Sequence, residues 1–193
     1  MVIGPDVVLD NPAYVHPSAL LYGKVRVGEG ASIWPNVVAR AEMHEIVVGR
    51  YTNIQDFVML HVGDRTPTVI GDYCSITHHC TIHGATIGDH CLIGINATVA
   101  DGAVVGNNCV IGQHAFVREG QVIPDNSIVV GVPGKVIRTE NSYVRNKLNA
   151  LMYHRNALAY QAGDFREWAK PDTMKWIGDQ IAALTKELEA LTP

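Results

Sequence analysis

The chain carries an aliphatic residue at every sixth position over most of its length. Eight such residues follow one another without a break across residues 87–129, and each is typically followed by glycine and then a polar turn residue. The same spacing occurs earlier in three blocks, residues 15–39, 48–60 and 70–82. Three residues are inserted after the first block, four after the second, and one is missing after the third. This period fits neither an α-helix nor a β-hairpin, so it predicts a repeat architecture.

A triangular solenoid satisfies this period, because three short strands of six residues each make one coil of eighteen. Each aliphatic residue then points inward, and successive coils pair in parallel at ~4.8 Å. Stacking buries a continuous core that no single coil could bury. Hexads of this kind resemble those of the left-handed parallel β-helix in the hexapeptide-repeat families, and the resemblance implies the hand of the coil. We therefore predict a mainly β fold, a left-handed parallel β-helix with C-terminal α-helices.

The composition changes near Thr139 and divides the chain into two parts. Thirty-seven of the forty Val and Ile residues precede Thr139, so the solenoid is expected over residues 1–138. Residues 139–193 are expected to form a helical segment that packs on the solenoid or within a trimer. One helix is predicted over about residues 140–162 and another over about 172–191. The second has apolar residues spaced four, three, four and three apart: Ile177, Ile181, Leu184, Leu188 and Leu191.

Folding the sequence on three hexads per coil sorts its residues into vertical columns. One column holds five glycines, which suit a tight corner: Gly28, Gly49, Gly71, Gly88 and Gly106. A second column holds cysteines four residues after inward aliphatic residues: Cys74, Cys91 and Cys109. Cys80 has the same offset from Ile76. Buried free cysteine behaves as a small hydrophobe, so we expect all four thiols to be reduced, inward-facing and slow to react, with a metal or redox role as the minor alternative.

A third column contains Arg40, His61 and His83, each directly after an inward residue. Two imidazoles on neighbouring coils can bind one zinc ion at ~2.0–2.1 Å, but a catalytic site needs a third ligand. His78 is the nearest candidate, and it projects from a different edge of the triangle. One chain therefore cannot easily supply all three histidines to one ion. Identical solenoids packed side by side with threefold symmetry would bring His78 of one subunit to His61 and His83 of the next.

Charge and cysteine content exclude several other classes of protein. Fifteen basic against nineteen acidic residues, with no basic run, provide no patch for nucleic acid. No apolar run reaches the ~18 residues of a membrane span, and the first ten residues lack the pattern of a signal peptide. Four cysteines without a CxxC pair do not indicate a disulfide framework. We expect a cytoplasmic protein that binds neither nucleic acid nor membranes and acts on a small-molecule substrate.

Two segments carry a family resemblance: YTNIQDFVMLH, and IGDYCSITHHCTIHGATIGDHCLIGINA further on. Together they resemble the signature of γ-class carbonic anhydrases, over about residues 15–138. The resemblance implies a homotrimer in which zinc, or iron or cobalt, is bound by His61 and His83 of one subunit and His78 of its neighbour. It also implies a metal-bound hydroxide that attacks carbon dioxide to give bicarbonate. In this scheme Gln55 orients the hydroxide, and Asp56 accepts a hydrogen bond from Arg40 or from a neighbour.

The sequence departs from the family pattern at two places. The family has Arg-Gly-Asp where this chain has Arg40-Ala41-Glu42, so the carboxylate of Glu42 is longer by one methylene. That Arg and Asp hold the subunit interface together in the family, and Glu42 can still pair with a neighbour at a shifted position. The loop after His61, VGDRTPT, is short and lacks the acidic insertion that carries the proton shuttle in the most active archaeal type. The helix after Asp172 exceeds what the resemblance needs, and we assign it no chemistry.

Two alternative functions use the same fold. The chain could be an acyltransferase or thioesterase acting on acyl-CoA, because hexapeptide solenoids commonly host acyltransferases and a zinc hydroxide can also attack a thioester. Three further histidines are candidates for the base of such an enzyme, although each lies at a predicted turn: His79, His90 and His114. The third function is that of a trimeric assembly or scaffold protein whose vestigial metal site fastens its trimer.

Overall fold

The computed structural model describes residues 2–191 and shows a solenoid of short strands followed by two helices. The strands are β1 (Val2–Ile3), β2 (Val8–Leu9), β3 (Tyr14–Val15), β4 (Leu20–Val27), β5 (Ser32–Ile33), β6 (Val38–Val48), β7 (Asn53–Ile54), β8 (Met59–His61), β9 (Thr68–Ile70), β10 (Ser75–Ile76), β11 (Thr81–His83), β12 (Thr86–Ile87), β13 (Leu92–Ile93), β14 (Thr98–Val99), β15 (Val104–Val105), β16 (Val110–Ile111), β17 (Phe116–Val117), β18 (Val122–Ile123), β19 (Ser127–Val130) and β20 (Lys135–Thr139). The helices are α1 (Tyr143–Gln161), a short 3₁₀ turn at Glu167–Ala169, and α2 (Thr173–Leu191).

The strands form three parallel faces. The first face contains β2, β9, β12, β15 and β18, and the second runs from β3 through β5, β7, β10, β13, β16 and β19. The third face contains β1, β8, β11, β14 and β17. Strands β4 and β6 are long enough to turn a corner, so each contributes to both the first and the third face. The single antiparallel pair among these strands is β19 with β20, which closes the second face.

The hexad prediction is confirmed by the pairing of the strands. Ile87 pairs with Val105 and Val105 with Ile123, so one coil is eighteen residues. All eight aliphatic residues of the uninterrupted run are at most 1% exposed. The solenoid has about seven turns, and the predicted class, a mainly β left-handed β-helix with C-terminal helices, is confirmed.

The irregularities of the repeat are accommodated at the edges of the third face. The three residues inserted after Ala39 lie within β6, which continues around the corner, with a register shift between Gly23 and Val25 in the paired β4. The four inserted after Leu60 form a loop before β9. Both insertions therefore lie next to His61, while the core register is kept.

The two helices lie close to their predicted positions. Helix α1 crosses the second face over β3, β5, β7 and β10, and α2 packs on α1. Within the apolar stripe of α2, Leu184 is buried, but Ile181 and Leu191 remain 43% and 64% exposed. No helix in residues 2–191 is both long and apolar enough to span a membrane.

The glycine and cysteine columns have distinct physical causes. None of the five column glycines has a positive φ, so left-handed backbone strain does not explain them. A Cβ on Gly49 would instead lie 2.3 Å from the carbonyl oxygen of Gly71 on the next coil.

The cysteines are buried and free, as predicted. The thiols of Cys74 and Cys91 each donate to a carbonyl of the next coil at 3.0 Å, and burial raises the pKa of the Cys80 thiol to about 11.

Candidate metal centre

The predicted histidine column forms on the third face. Strand pairing places Arg40 opposite His61, and His61 opposite His83. The rings of the two histidines are 4.8 Å apart, and Nδ1 of His61 lies 2.9 Å from Nε2 of His83. Two ring nitrogens from neighbouring coils therefore converge on one point at the surface.

The other nitrogen of each ring faces a carboxylate. His83 Nδ1 donates to Oδ1 of Asp101 at 2.8 Å, and His61 Nε2 lies 3.1 Å from Oε2 of Glu42. A carboxylate accepts a hydrogen bond from the ring N–H that it faces, so when both rings are neutral their lone pairs point toward each other. Two lone pairs at this distance repel unless a cation lies between them.

This arrangement fits a metal ion. Nitrogens that share one tetrahedral zinc at ~2.0–2.1 Å lie ~3.3 Å apart, so the His61 and His83 rings would separate by only a few tenths of an ångström. Carboxylates on the far nitrogens are the usual outer partners of histidine ligands, because they fix the tautomer and the ring plane. Within residues 2–191, however, no group of three His, Cys, Asp or Glu side chains is placed to hold an ion. His61 and His83 are thus the two imidazoles that this part of the chain brings together.

Asp101 was not predicted from the sequence, and its position is built into the coil. A Cβ placed on either Gly63 or Gly84 would lie 2.2 Å from Asp101 Oδ1, so both glycines leave room for this carboxylate. The same two Cβ positions lie 2.4 Å from Oγ1 of Thr66, in the loop after His61. The sequence carries only a weak signal for it, because the coil is seventeen residues long here and Asp101 lies one position beyond the residue in register with His83.

Arg40 and Glu42 form an ion pair with each other within the chain. Desolvation acts to raise the pKa of Glu42, but its main-chain hydrogen bond, Arg40 and His61 together lower it below the ordinary value. Glu42 therefore bridges Arg40 and His61 as a carboxylate. Within residues 2–191, Arg40 is bonded to Glu42 and not to Asp56.

The remaining predicted residues lie at the corner between the second and third faces. His78 Nδ1 lies 3.0 Å from Oδ2 of Asp56 on the preceding coil, so the carboxylate leaves Nε2 of His78 as the free nitrogen. Gln55 directly precedes Asp56 and is 2% exposed. The structure thus separates the predicted residues into two groups: Arg40, Glu42, His61 and His83 on the third face, and Gln55, Asp56 and His78 at the corner.

An aromatic cluster borders the second group beneath α1. Trp34 follows β5 as Gln55 follows β7, and these strands are paired, so the two residues are neighbours on adjacent coils. The Trp34 ring packs against Tyr160 and Tyr153, with centroids 4.9 and 5.6 Å away. Burial, followed by the charges of Asp56 and Tyr160, raises the pKa of Tyr153 to about 12. Trp34 is only 4% exposed, so this cluster packs helix α1 onto the second face next to Gln55.

The three other histidines lie at solenoid corners, as predicted. His79, His90 and His114 have positive φ values of 61°, 54° and 57°. His79 stacks on Phe57 at 4.9 Å, and His90 stacks on Tyr73 at 5.7 Å. Their positions are those of corner residues.

Comparisons with known proteins agree with the repeat and identify relatives of the chain. The family model described as "Bacterial transferase hexapeptide (six repeats)" matches residues 84–119. Over 137 residues the chain is 52% identical to the "Probable carbonic anhydrase" of Methanocaldococcus jannaschii, covering 70% of this chain and 86% of that protein. It is 41% identical over 100 residues to "Gamma carbonic anhydrase 1, mitochondrial" of Arabidopsis thaliana, covering 49% of this chain and 36% of that protein.

Solved structures show the same fold. A hexapeptide transferase family protein from Anaplasma phagocytophilum superimposes with a TM-score of 0.65 at 28% identity, covering 82% of this chain and 98% of that one. The histidine column, the hexads and the extensive identity to the archaeal relative agree with one another. The chain belongs to the γ-class carbonic anhydrase family of hexapeptide-repeat proteins.

Proposed function

We propose that this chain is a γ-carbonic-anhydrase-like metalloenzyme that reversibly hydrates carbon dioxide to bicarbonate. The observation that supports it most is the approach of His61 Nδ1 and His83 Nε2 to 2.9 Å, with a carboxylate on the far nitrogen of each ring. The similarity to a relative named as a carbonic anhydrase supports the same activity.

The site is proposed to form between the subunits of a homotrimer. His61 and His83 lie on the third face, and His78 projects from the corner with Nδ1 already bonded to Asp56. A neighbouring chain would then supply the Nε2 of its own His78. Zinc is the proposed ion, with iron or cobalt as alternatives, because three neutral imidazoles suit these metals.

The metal would act as a Lewis acid and lower the pKa of a coordinated water to ~7. The protein would contribute position and orientation. Asp101 and Asp56 hold His83 and His78, and the Arg40–Glu42 pair holds His61. Gln55 would orient the reacting water through its side-chain amide.

A second candidate is hydrolysis or transfer of an acyl group from acyl-CoA. It is favoured by the likeness at 28% identity to a structure described as a hexapeptide transferase family protein. A carbonic anhydrase and a thioesterase would use the same metal site, and they would differ in the residues that border it across the subunit interface.

The test is made on one preparation purified without oxygen. Metal content is measured by mass spectrometry, and the same sample is assayed for carbon dioxide hydration by stopped flow and for hydrolysis of an acyl-CoA panel. We expect close to one metal per chain and hydration activity that a chelator abolishes. Full thioesterase or acyltransferase activity in metal-free protein would contradict the proposal. Bound metal with neither activity would favour a scaffold.

A further inference from the structure

A line of side-chain hydrogen bonds connects helix α1 to Gln55. Ser75 Oγ donates to Oδ1 of Asn149, in the middle of α1, at 2.8 Å. Asn53 Nδ2 donates to Ser75 Oγ at 2.9 Å, and Gln55 Nε2 donates to Asn53 Oδ1 at 2.9 Å. Every bond in this line points from Gln55 toward the helix.

The direction of the line is fixed at two places. Ser75 has one hydroxyl proton, and giving it to Asn149 leaves the hydroxyl oxygen to accept from Asn53. Asn53 Nδ2 also donates to the main-chain carbonyl of Cys74 at 3.3 Å, and a carbonyl can only accept. Asn53 must therefore present its oxygen to Gln55, which in turn must present its nitrogen to Asn53.

Because its nitrogen is bonded to Asn53, the Gln55 amide keeps its oxygen, Oε1, for another partner. No hydrogen bond reaches Gln55 Oε1 within residues 2–191. This oxygen is also not among the fully enclosed, unpartnered side-chain atoms of that part of the chain, which are Asn108 Oδ1 and Asn146 Oδ1. Gln55 Oε1 is thus an acceptor with access to the corner that carries Asp56 and His78.

We propose that Asn149 is a positioning residue, which acts through Ser75 and Asn53 to keep the oxygen of Gln55 turned toward the reacting centre. This inference rests on the proposed function. An amide oxygen accepts a hydrogen bond from the reacting water and leaves the lone pair of that water free to attack carbon. A reversed amide would donate to that lone pair and weaken the nucleophile.

Burial makes the line sensitive to its last acceptor. Asn53, Ser75 and Gln55 are each at most 2% exposed, so an unmade hydrogen bond cannot be replaced by bulk water. If Asn149 no longer accepts, the Ser75 hydroxyl is left without an acceptor, and it gains one only when the Asn53 amide turns over and gives up its bonds to Cys74 and Gln55. Helix α1 would in this way influence the site.

Two substitutions of similar size separate hydrogen bonding from packing. Asn149→Asp keeps an acceptor and should hydrate carbon dioxide within about twofold of the wild type. Asn149→Leu removes the acceptor and should lower kcat by about three- to tenfold, the usual effect of one buried hydrogen bond, with KM unchanged. Gln161→Leu, at an exposed position of the same helix, is the control and should leave kcat unchanged. Metal content and Tm are measured for each.

A double-mutant cycle tests whether Asn149 acts through Gln55. In a Gln55→Ala background, Asn149→Leu should have no further effect on kcat, because the group that it positions is absent. Additive losses in the double variant would contradict the inference, and so would equal kcat values for the Asp and Leu variants at full metal content.

Amide exchange tests the line independently of activity. The chain has five glutamines, so ¹⁵N-glutamine labelling gives five side-chain amide signals, and the Gln55→Ala variant identifies that of Gln55. We expect its Nε2 protons to exchange more than tenfold faster in Asn149→Leu than in the wild type or Asn149→Asp. If the wild type hydrates no carbon dioxide, the proposed function fails, and this exchange then decides whether the line exists. Unchanged exchange in Asn149→Leu would overturn it.

Discussion

Removal of the Asp101 carboxylate should weaken metal binding without unfolding the solenoid. Asp101 makes a single bond to His83 Nδ1, of 2.8 Å. It fixes the proton on that nitrogen and so keeps Nε2 available as a ligand. We expect Asp101→Ala to release this tautomer and ring orientation, and Asp101→Asn, whose amide oxygen still accepts, to have the smaller effect.

The size of the effect follows from the number of ligands that Asp101 supports. Loss of such an outer partner typically costs 10–100-fold in metal affinity. Asp101 supports one of the three proposed ligands through one hydrogen bond, so the lower end of that range applies. For Asp101→Ala we therefore expect about a tenfold rise in the Kd for zinc, equivalent to ~1.4 kcal/mol.

The assay is a competition titration of metal-free protein with zinc against a chromophoric chelator. Glu189→Ala, which removes the same charge from an exposed position on α2, is the matched control and should bind zinc as the wild type does. Thermal unfolding of the metal-free proteins shows whether the fold is kept. Zinc binding by Asp101→Ala that equals the wild type, in a folded protein, would refute the role of this carboxylate.

Two further predictions concern the core and the helices. A charged thiol reagent should label the folded protein much more slowly than the protein in denaturant, because all four cysteines are buried; rapid labelling of the folded protein would contradict this. The Glu187 carboxylate accepts from Lys147 Nζ at 2.7 Å, and this bond lowers the pKa of Glu187. The stability that the bond contributes is therefore present above the ordinary Glu pKa of ~4.3 and is lost as the pH falls through the lowered value. Glu187→Gln should lower Tm at pH 7 and leave it nearly unchanged at pH 3; an equal loss at both would show that the charge is not the cause.

The sequence was sufficient to predict the architecture, because the repeat that encodes it is local. An inward Ile or Val at each hexad determines strand, coil and core together. It therefore also determined that Arg40, His61 and His83 share a column. Burial of the cysteines was predicted from their fixed offset after the inward residues of the same repeat. The corner interpretation of the glycine column was less successful, because the cause is the close approach of the next coil and not the conformation of the glycine itself.

The contacts around the site could not be predicted from the repeat alone. Asp101 reaches His83 only because the loop after His61 and two glycines leave space for its carboxylate. The bond from Ser75 to Asn149 joins residues seventy-four positions apart, and it depends on how α1 lies across the second face. A column assignment fixes which strands are neighbours, whereas these contacts depend on the path of a loop and the docking of a helix.

The central claim is that the metal site joins two chains, and subunit exchange tests it most directly. A His78→Ala chain and a His61→Ala chain, each inactive alone, are mixed at equal concentration, and exchange is verified by mass spectrometry of the trimers. A site that takes His61 and His83 from one chain and His78 from the next is then intact wherever the two variants adjoin in the right order. Random mixing should restore roughly a quarter of the wild-type sites in a cyclic trimer, measured as tight zinc and carbon dioxide hydration. If all ligands came from one chain, every site would lack a histidine, and neither zinc binding nor activity would return in the mixed trimers.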